Sequence, residues 1–401
     1  MEKLTVEQAL EALLEHTKVI EETETVPLLQ ACGRVLAKDM IAGFDNPPFD
    51  RSPVDGYACK AEDITDASES HPVQLTVLEE IDAGQYSRVT VEKGQAVRIM
   101  TGAAIPKGCD CCVRQEDTDY GEETVRIFRP TGQWQNYCYQ GENFKNGTVL
   151  LKKGDKIGFI EAGILASMGV IKVKVYRRVR AAVLTTGDEV MAPGKRLIPG
   201  KIYDCNQGLL AARMKEFGAE LVEVAAIEDR PQAMTAALER IAPSVDLIVT
   251  TGAVSVGKKD IMHEALEMAG AKRIFWHIQM KPGMPTLFSM YQDTPVISLS
   301  GNPFGVAVSI DLLLRPVLHK MTQDEALKMV RKKCLLKNKF SKTIRGRRYV
   351  RAMTDGETVT IPTGLLSNGV LSSMAGCNCL IEMQEGQTGT RAGEMAEVIL
   401  L

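Results

Sequence analysis

The chain has 401 residues, of which 45% are hydrophobic and 25% are charged, and its formal net charge at pH 7 is −3. This length exceeds the size at which a single hydrophobic core keeps growing, so we expect several domains. The small net charge excludes a global field that would attract nucleic acid or an anionic membrane, so we expect neither as a partner.

The first residues predict a helix and show no export signal. The segment MEKLTVEQALEALLEH is acidic where a signal peptide needs a basic start, and no later stretch reaches membrane-spanning length. Thr5 and Gln8 have the spacing of a capping box, and Ala9, Leu10 and Leu13 follow a helical period. We therefore expect a cytoplasmic protein that opens on an amphipathic helix.

The next part of the chain is predicted to be rich in β-structure. Glycine and proline accumulate in GFDNPPFDRSPVDGYA, which indicates an ordered loop or a linker. Short apolar runs then follow between Val73 and Phe128, among them VQLTVLEEI, AVRIM and TVRIF. A turn at residues 153–155, a short helix ending near Gly169 and the strand-like IKVKVY are expected to pack with the opening helix as one discontinuous domain.

A cysteine cluster, Cys109, Cys111 and Cys112, raises the alternative of a metal site. No second cluster stands at zinc-finger spacing, and Cys377 and Cys379 lack the two-residue gap of a CxxC motif. Ten cysteines in a chain of this length are also too few for a disulfide scaffold. We therefore expect buried thiols that pack as small apolar side chains.

From Arg178 to about Met321 strands alternate with helices, which predicts an α/β unit with a mainly parallel sheet. The strand candidates are RAAVLTT, LVEVAAI, DLIVTT, RIFWHI and PVISL, and the helices include NQGLLAARMKEF, PQAMTAALERI and DIMHEALEMA. The last seventy or so residues return to short strands, so a small closing β domain is expected.

Four glycine-containing loops follow the predicted strands of the α/β unit. They are TTGDE (185–189), TTGAVSVGKKD (250–260), KPGMP (281–285) and LSGNP (299–303). Ligands bind at the carboxyl edge of such sheets, and glycine lets backbone amides approach an anion closely. Each loop alone could be a tight turn, but four at one edge favour a binding site, and Asn302 and Pro303 have the pattern of a helix start.

One of these loops comes close to a nucleotide-binding motif. Gly252 to Lys258 reads G-x-x-x-x-G-K directly after a strand. Lys259, however, stands where a P-loop needs a magnesium-binding serine or threonine. The motif therefore does not predict an NTPase. We still expect the loop to contact a phosphate group.

Carboxylates follow the same predicted edge: Asp188 and Glu189, then Asp229, then Asp260. Grouped carboxylates beside phosphate-type loops would suit Mg²⁺ bridging a phosphoanhydride, because this cation takes oxygen ligands. The alternatives are a solvated acidic rim and, for Asp260, a charge at a helix start.

The cationic candidates for binding an oxyanion are Lys281 and the arginines from Arg345 to Arg351. The alternative for the arginines is that they lie on a solvent-exposed face of a strand.

In order along the chain, these segments resemble the MoeA proteins and the E domain of gephyrin. PPFDRSPVDGYA (47–58) is similar to the family's PPFDNSAMDGYA, and residues 98–117 are similar to its TGAPIPEGADAVV. TGDE, GKIYDCN (200–206), GAVSVG, FWHIQMKPGMP, LSGNP and SNGVLSSM (367–374) follow in the family's order.

The resemblance implies a fold class and four domains. The fold would be multidomain α/β plus β, with a central MogA-like α/β domain, a β-rich insert, an elongated discontinuous N-terminal domain and a small C-terminal β-barrel. The implied boundaries are 1–45 plus 141–177 for the discontinuous domain, 46–140 for the β-rich domain, 178–325 for the α/β domain and 326–401 for the barrel.

The resemblance also implies a reaction and its residues. The enzyme would insert molybdate into adenylylated molybdopterin, with Mg²⁺-dependent release of AMP, in molybdenum cofactor biosynthesis. The matching catalytic positions are Asp55, Thr101, Glu189, Asp229 and Asp260, of which the last three would hold the metal. The matching molybdate- or substrate-binding positions are Lys281, His277, Ser300, Arg351, Ser372, Ser373, Gly252, Ser255, Gly257, Gly301 and Asn302.

Partners follow from the same resemblance. Family members are homodimers whose cleft combines domains of both subunits, and the adenylyltransferase and molybdoenzyme-maturation proteins would be transient partners. An alternative function is that of the molybdopterin adenylyltransferase, which acts in the preceding step. That resemblance would explain only residues 178–321.

Four departures from the family pattern affect the site. His277 and Met284 replace the lysines of FWK and PGKP, Ala253 replaces a glycine, and Ser300 replaces the proline of LPGNP. Two positive charges are thereby lost, although a protonated histidine would restore one. The departures motivate the alternative of a non-catalytic molybdopterin-binding or scaffolding paralogue.

Overall fold

The computed structural model describes residues 3–254, 261–340, 346–387 and 389–401. The site predictions for Ser255, Gly257 and Asp260 lie outside the described residues. No helix in these ranges is long and apolar enough to cross a membrane.

Helices and strands occur along the whole chain. The α-helices are α1 (Val6–Glu15), α2 (Phe159–Ser167), α3 (Cys205–Glu216), α4 (Pro231–Ile241), α5 (Met262–Met268), α6 (Pro303–Ser309) and α7 (Arg315–Thr322), with a π-helical turn, Ile310–Leu314, between the last two. Short 3₁₀ turns are Leu28–Gln30, Ala61–Ile64, Gln115–Asp117, Ala242–Ser244, Glu325–Leu327 and Leu371–Met374. The strands are β1 (Thr23–Pro27), β2 (Met40–Ile41), β3 (Gly56–Cys59), β4 (Val73–Ile81), β5 (Gln95–Ile99), β6 (Cys111–Arg114), β7 (Thr124–Ile127), β8 (Val149–Leu151), β9 (Lys172–Tyr176), β10 (Arg180–Thr186), β11 (Val190–Met191), β12 (Ile202–Tyr203), β13 (Glu220–Ile227), β14 (Leu247–Thr251), β15 (Lys272–Trp276), β16 (Met280–Lys281), β17 (Leu287–Tyr291), β18 (Thr294–Leu299), β19 (Arg331–Leu336), β20 (Arg347–Thr354), β21 (Thr358–Thr360), β22 (Cys379–Met383) and β23 (Met395–Leu400).

The chain forms two compact units. The first consists of Met1–Ala37, Gly154–Gly158 and Lys172–Leu401, and the second of Lys38–Lys153 and Phe159–Ile171. In the first unit β1 pairs with β9, which joins the N-terminal segment to the chain that follows the second unit. The finer division into four domains at the boundaries given above stays a prediction.

The second unit is built on a five-stranded sheet with the order β6-β3-β5-β4-β7. Its strands pair antiparallel except for β4 and β5, which are parallel. The alternating segment VQLTVLEEI coincides with β4, and Leu75 and Ile81 face the buried side. This sheet confirms the predicted β-rich insert.

The cysteine cluster of the second unit is buried. Cys59 on β3 and Cys111 on β6 are cross-strand partners whose sulfurs lie 3.7 Å apart, and Cys109 and Cys112 are also buried. Burial raises the pKa of the Cys112 thiol to about 12. Within the described ranges no three His, Cys, Asp or Glu side chains are grouped as metal ligands. Cys59 and Cys111 pack in one apolar cluster of the sheet, and Cys109 and Cys112 pack in another.

The first unit contains the α/β sheet, whose strand order is β13-β10-β14-β18-β17-β15. The first four strands are parallel, and β17 is antiparallel to both of its neighbours. Along β10, Ala181 and Val183 enter the core that α1, α3, α6 and α7 cover, whereas Ala182 and Leu184 enter the core that α4 and α5 cover. This continuous burial explains why RAAVLTT is apolar on both faces.

The C-terminal strands close into a barrel. The pairs β20-β21, β21-β19, β19-β23, β23-β22 and β22-β20 form a ring of five strands. The short strand β16 pairs with β20, so Lys281 of the KPGMP loop lies in register with Arg348. With the α/β sheet and the insert, this barrel confirms the predicted fold class, multidomain α/β plus β.

The opening helix is held at both ends. Thr5 accepts from the Gln8 amide while the Gln8 side chain accepts from the Thr5 amide, as the capping box predicted. Ala9 and Leu13 are fully buried, and the Lys320 ammonium of α7 donates to the Leu14 carbonyl at 2.6 Å. The N-terminal segment is therefore part of the α/β core.

Candidate functional site

The carboxyl ends of β10, β14 and β18 bring three of the glycine loops together. Asn206, in the first turn of α3, donates to the Gly301 carbonyl at 2.8 Å, and Thr251 at the end of β14 donates to the Ser300 carbonyl at 3.0 Å. A small cavity of about 80 Å³ opens here, and its lining includes Glu189 and Gly252. The structure thus places the predicted residues Glu189, Gly252 and Gly301 around one cavity.

Glycine at position 252 is required by the backbone. Gly252 has φ +98°, and a Cβ atom there would lie 2.2 Å from the Thr186 carbonyl oxygen. A Cβ at Gly301 would lie 3.7 Å from the Gly252 Cα. The two loops therefore pack closely, and the Gly252 amide donates to the Leu299 carbonyl at 3.2 Å.

Two of the three predicted metal-binding carboxylates are described, and both lie at this edge. Glu189 is exposed, whereas Asp229 is half-buried and accepts a hydrogen bond from the Thr186 hydroxyl at 3.0 Å. The third, Asp260, lies outside the described residues, so the predicted triad stays a prediction.

Two residues that sequence reasoning missed, Thr185 and Asp204, also line this cavity. Thr185 Oγ1 and Asp204 Oδ2 are buried without a hydrogen-bond partner among the described residues, and both side chains line the cavity. Asp204 caps α3 through its other oxygen, at 3.0 Å from the Gln207 amide. An oxygen-rich lining with unsatisfied acceptors fits the donor preference of Mg²⁺.

A second cavity, of about 510 Å³, lies at the KPGMP loop. Its lining includes the predicted residues Lys281, Ser300 and Asn302, together with Asn368 from the SNGVLSSM segment and Lys3 from the N-terminal segment. The Phe304 amide donates to the Asn368 carbonyl at 3.1 Å, which fixes the SNGVLSSM segment at the start of α6. Sequence reasoning missed Asn368 and Lys3.

Arg351 is buried beside this cavity. Its guanidinium donates to the Ser367 and Val370 carbonyls and to the Ser373 hydroxyl, and it stacks 3.6 Å from the centre of the Phe304 ring. These contacts position residues 367–373, including the exposed Ser372. Direct binding of an oxyanion by Arg351 stays a prediction.

His277 carries less positive charge than the sequence suggested. Its pKa is lowered, first by burial and then by repulsion from the Lys3 ammonium and from His263. The imidazole stacks on Trp276 with the ring centres 3.9 Å apart. A neutral imidazole does not restore the charge that a lysine would supply here.

Asp55 and Thr101 form a hydrogen-bonded pair in the second unit. The Thr101 amide and hydroxyl both donate to Asp55 Oδ1 at 2.7 Å. These two bonds, the amide bond being the larger effect, lower the pKa of the Asp55 carboxyl. The carboxylate lines a cavity of about 740 Å³ with Arg114 and Arg129 and stays ionised at neutral pH.

We expect Thr101→Val to raise the pKa of Asp55, because the substitution removes the hydroxyl donor and leaves the amide donor. The acidic limb of any activity that needs ionised Asp55 would move to higher pH. Titration of the Asp55 carboxyl by NMR measures the shift. Thr65→Val is the matched control, since the partners of the Thr65 hydroxyl in the described part of the chain are the Ala61 and Glu62 carbonyls of the 3₁₀ turn before it. An unchanged Asp55 pKa in Thr101→Val would contradict the assignment.

Three family models match successive parts of the chain. They are the MoeA N-terminal region (domain I and II) over residues 4–169, a probable molybdopterin binding domain over residues 182–320, and the MoeA C-terminal region (domain IV) over residues 333–401. The first and third cover the regions that the adenylyltransferase alternative leaves unexplained.

Whole-length relatives agree with these matches. The molybdopterin molybdenumtransferase of Staphylococcus epidermidis is 32% identical over 401 residues, covering 99% of this chain and 95% of that protein. The one of Bacillus subtilis is 33% identical over 393 residues, covering 96% and 91%. The solved molybdopterin biosynthesis MoeA protein from Pyrococcus horikoshii matches with a TM-score of 0.83 and 30% identity over 100% of this chain and 99% of that one. The chain therefore belongs to the MoeA family of molybdopterin molybdenumtransferases, which are transferases of molybdenum cofactor biosynthesis.

Proposed function

We propose that this chain inserts molybdate into adenylylated molybdopterin and releases AMP in a Mg²⁺-dependent reaction, giving Mo-molybdopterin. The observation that carries the proposal is the convergence of glycine loops and carboxylates around Glu189 and Gly252, next to a cavity that contains Lys281, Ser300 and Asn302. One cavity suits a phosphoanhydride and the other suits a tetrahedral oxyanion.

The loops at Gly252 and Gly301 would bind the phosphates. Backbone amides can approach phosphate oxygens where no Cβ intervenes, and both positions are occupied by glycine. Asn206 holds the Gly301 loop through its carbonyl, so the loop is ordered before a ligand binds. Such preorganisation lowers the cost of binding the charged transition state.

The carboxylates would act on the adenylate phosphorus. We propose that Glu189 and Asp229, with Asp260, hold Mg²⁺, which when bound would polarise the anhydride and offset repulsion between carboxylates and phosphates. The Thr186 hydroxyl fixes one oxygen of Asp229, which leaves the other to orient a nucleophile toward the phosphorus. Attack by a water molecule would form a new oxygen–phosphorus bond at the adenylate phosphorus and break the anhydride bond. AMP would leave with the oxygen of the water, the pterin phosphate would keep the bridging oxygen, and the released proton would pass to solvent.

Molybdate would be held at the second cavity. Lys281 is exposed there and has no carboxylate partner within the described part of the chain, so its ammonium can pair with a dianion. Ser300 and Asn302 add polar groups, and Arg351 positions the loop that carries Ser372 and Ser373. Molybdate bound in this cavity would then be in position to react with the dithiolene sulfurs of the pterin.

We also propose a homodimer, with the molybdopterin adenylyltransferase and molybdoenzyme-maturation proteins as transient partners. Support for the dimer comes from the resemblance and from the separation of the predicted catalytic residues over two units, Asp55 and Thr101 in one and Glu189 and Asp229 in the other. Light scattering should give twice the mass of one chain, and the mass of a single chain would contradict the dimer.

The proposal is tested by AMP release from adenylylated molybdopterin with Mg²⁺, with and without molybdate, followed by activation of a molybdenum-free apoenzyme. Molybdate-dependent release with activation is the expected result. Tight binding without release would instead identify a non-catalytic binding or scaffolding paralogue, which the loss of lysine at His277 and Met284 motivates. An Asp260→Ala variant that retains AMP release would remove Asp260 from the mechanism.

A further inference from the structure

The N-terminal segment delivers a lysine to the cavity at the KPGMP loop. Lys3 lines this cavity together with Lys281 and Ser300. Its ammonium lies 3.6 Å from the sulfur of Met284, although the two residues are 281 positions apart in the sequence. Two lysines from distant parts of the chain therefore reach the same cavity.

The backbone of Lys3 is anchored rather than a free tail. Leu4 forms a parallel bridge with Ile278: the Leu4 amide donates to the His277 carbonyl at 3.3 Å, and the Gln279 amide donates to the Leu4 carbonyl at 2.7 Å. The Gln279 side chain also donates to the Lys3 carbonyl at 2.8 Å. Because α1 begins directly after Thr5 and buries Leu13, the segment is fixed from both sides.

The charge of Lys3 is not neutralised. Its hydrogen-bond acceptor among the described residues is the thioether of Met284, which is a weak and uncharged acceptor. The charged residues of the cavity lining are one carboxylate, Glu385, and two lysines, Lys3 and Lys281. The lining thus carries a net positive charge. The pKa of His277 is lowered mainly by burial, and the Lys3 ammonium contributes to the same direction.

We propose that Lys3 binds the tetrahedral oxyanion of the reaction together with Lys281. The inference rests on the proposed function for the identity of that anion, which is either molybdate or a phosphoryl group of the pterin substrate. An ammonium held beside an uncharged sulfur can pair with an incoming dianion without first breaking an ion pair.

The position of Lys3 gives the departures from the family pattern a physical meaning. The ammonium lies against Met284, one of the two positions where the resemblance described above implies a lysine. The other position is His277, whose carbonyl accepts the Leu4 amide. A lysine from the start of the chain would thus return a positive charge to the neighbourhood from which the motif has lost it.

The experiment compares binding of molybdate and of AMP, each measured by titration calorimetry on the full-length chain and its variants. Lys3→Met should weaken binding of one of these anions about tenfold, as expected for loss of one charge-assisted hydrogen bond. Lys3→Arg should retain binding. The double variant Lys3→Met/Met284→Lys should recover it, because the ammonium returns to nearly the same place. Lys18→Met is the matched control, since Lys18 is exposed and paired with Asp293 at 2.9 Å.

The molybdate and AMP titrations distinguish the two anions that Lys3 could bind. Weaker molybdate binding in Lys3→Met assigns Lys3 to molybdate, whereas weaker AMP binding alone assigns it to the phosphoryl group. Unchanged binding of both anions in Lys3→Met, with a clear loss in Lys281→Met, would overturn the inference. A wild-type chain that binds molybdate but never releases AMP would refute the proposed function and leave the role of Lys3 to be decided by the variants.

Discussion

We expect the Asp229→Asn variant to release AMP from adenylylated molybdopterin at least about a hundredfold more slowly than the unchanged chain. The amide oxygen of asparagine can still accept the Thr186 hydroxyl, so the local hydrogen bond is kept while the negative charge is removed. The substitution therefore isolates the charge, which is the property that orientation of a nucleophile and retention of Mg²⁺ both need. Single-turnover release of AMP at saturating Mg²⁺ measures the effect.

Glu228→Gln provides the control for Asp229→Asn. Glu228 is the neighbouring residue, is exposed, and pairs with Arg230. Its neutralisation changes the net charge of the edge by the same amount, but it should leave AMP release within about twofold. Similar rates in the two variants, with circular dichroism unchanged, would show that Asp229 does not take part in the chemistry.

The second large effect is expected for Gly252→Ala, which should lower the free energy of unfolding by about 3 kcal/mol or more. The new Cβ would stand 2.2 Å from the Thr186 carbonyl oxygen, and the backbone at φ +98° is one that L-residues rarely adopt. Relief of this clash would move the β14 loop away from β10, so AMP release should fall as well. Urea unfolding followed by fluorescence measures the loss of stability.

Gly270→Ala is the control that separates the cost of a positive φ from the cost of a steric clash. Gly270 also has a positive φ, +73°, but no atom lies within 4 Å of the position that its Cβ would take. We expect this variant to lose only about 1 kcal/mol, which is the cost of the left-handed conformation alone. Equal losses in the two variants would mean that the close approach of Gly252 to Thr186 does not govern stability at this edge.

Much of the fold could be predicted from periodicity. The alternating run that became β4 and the apolar run that became β10 each follow directly from which faces are buried. Strand β17 was not predicted, because LFSMY is short and follows a proline-rich turn without a clear period. Strand β17 pairs antiparallel with both β15 and β18. Such pairing depends on strands distant in the sequence, which a local sequence pattern does not reveal.

The candidate site was predictable where a loop directly follows a strand. Glu189, Gly252 and Gly301 come together because parallel strands end at one edge, which is a property of the topology. Thr185 and Asp204 were missed, since an oxygen without a partner is recognisable only when all surrounding atoms are placed. The carbonyl partners of Arg351 were also missed, because Ser367 and Val370 lie in a segment that only the fold brings beside β20.

The attachment of the N-terminal segment has a consequence for the order of events during synthesis. Leu4 pairs with Ile278, and α1 packs in the same core as Met321 at the end of α7. At ribosomal rates the first helix would remain without these partners for roughly 15 to 60 seconds after it emerges. The cavity that Lys3 lines also needs Lys281, Asn368 and Glu385, so a nascent or C-terminally shortened chain that stops before these residues would lack it.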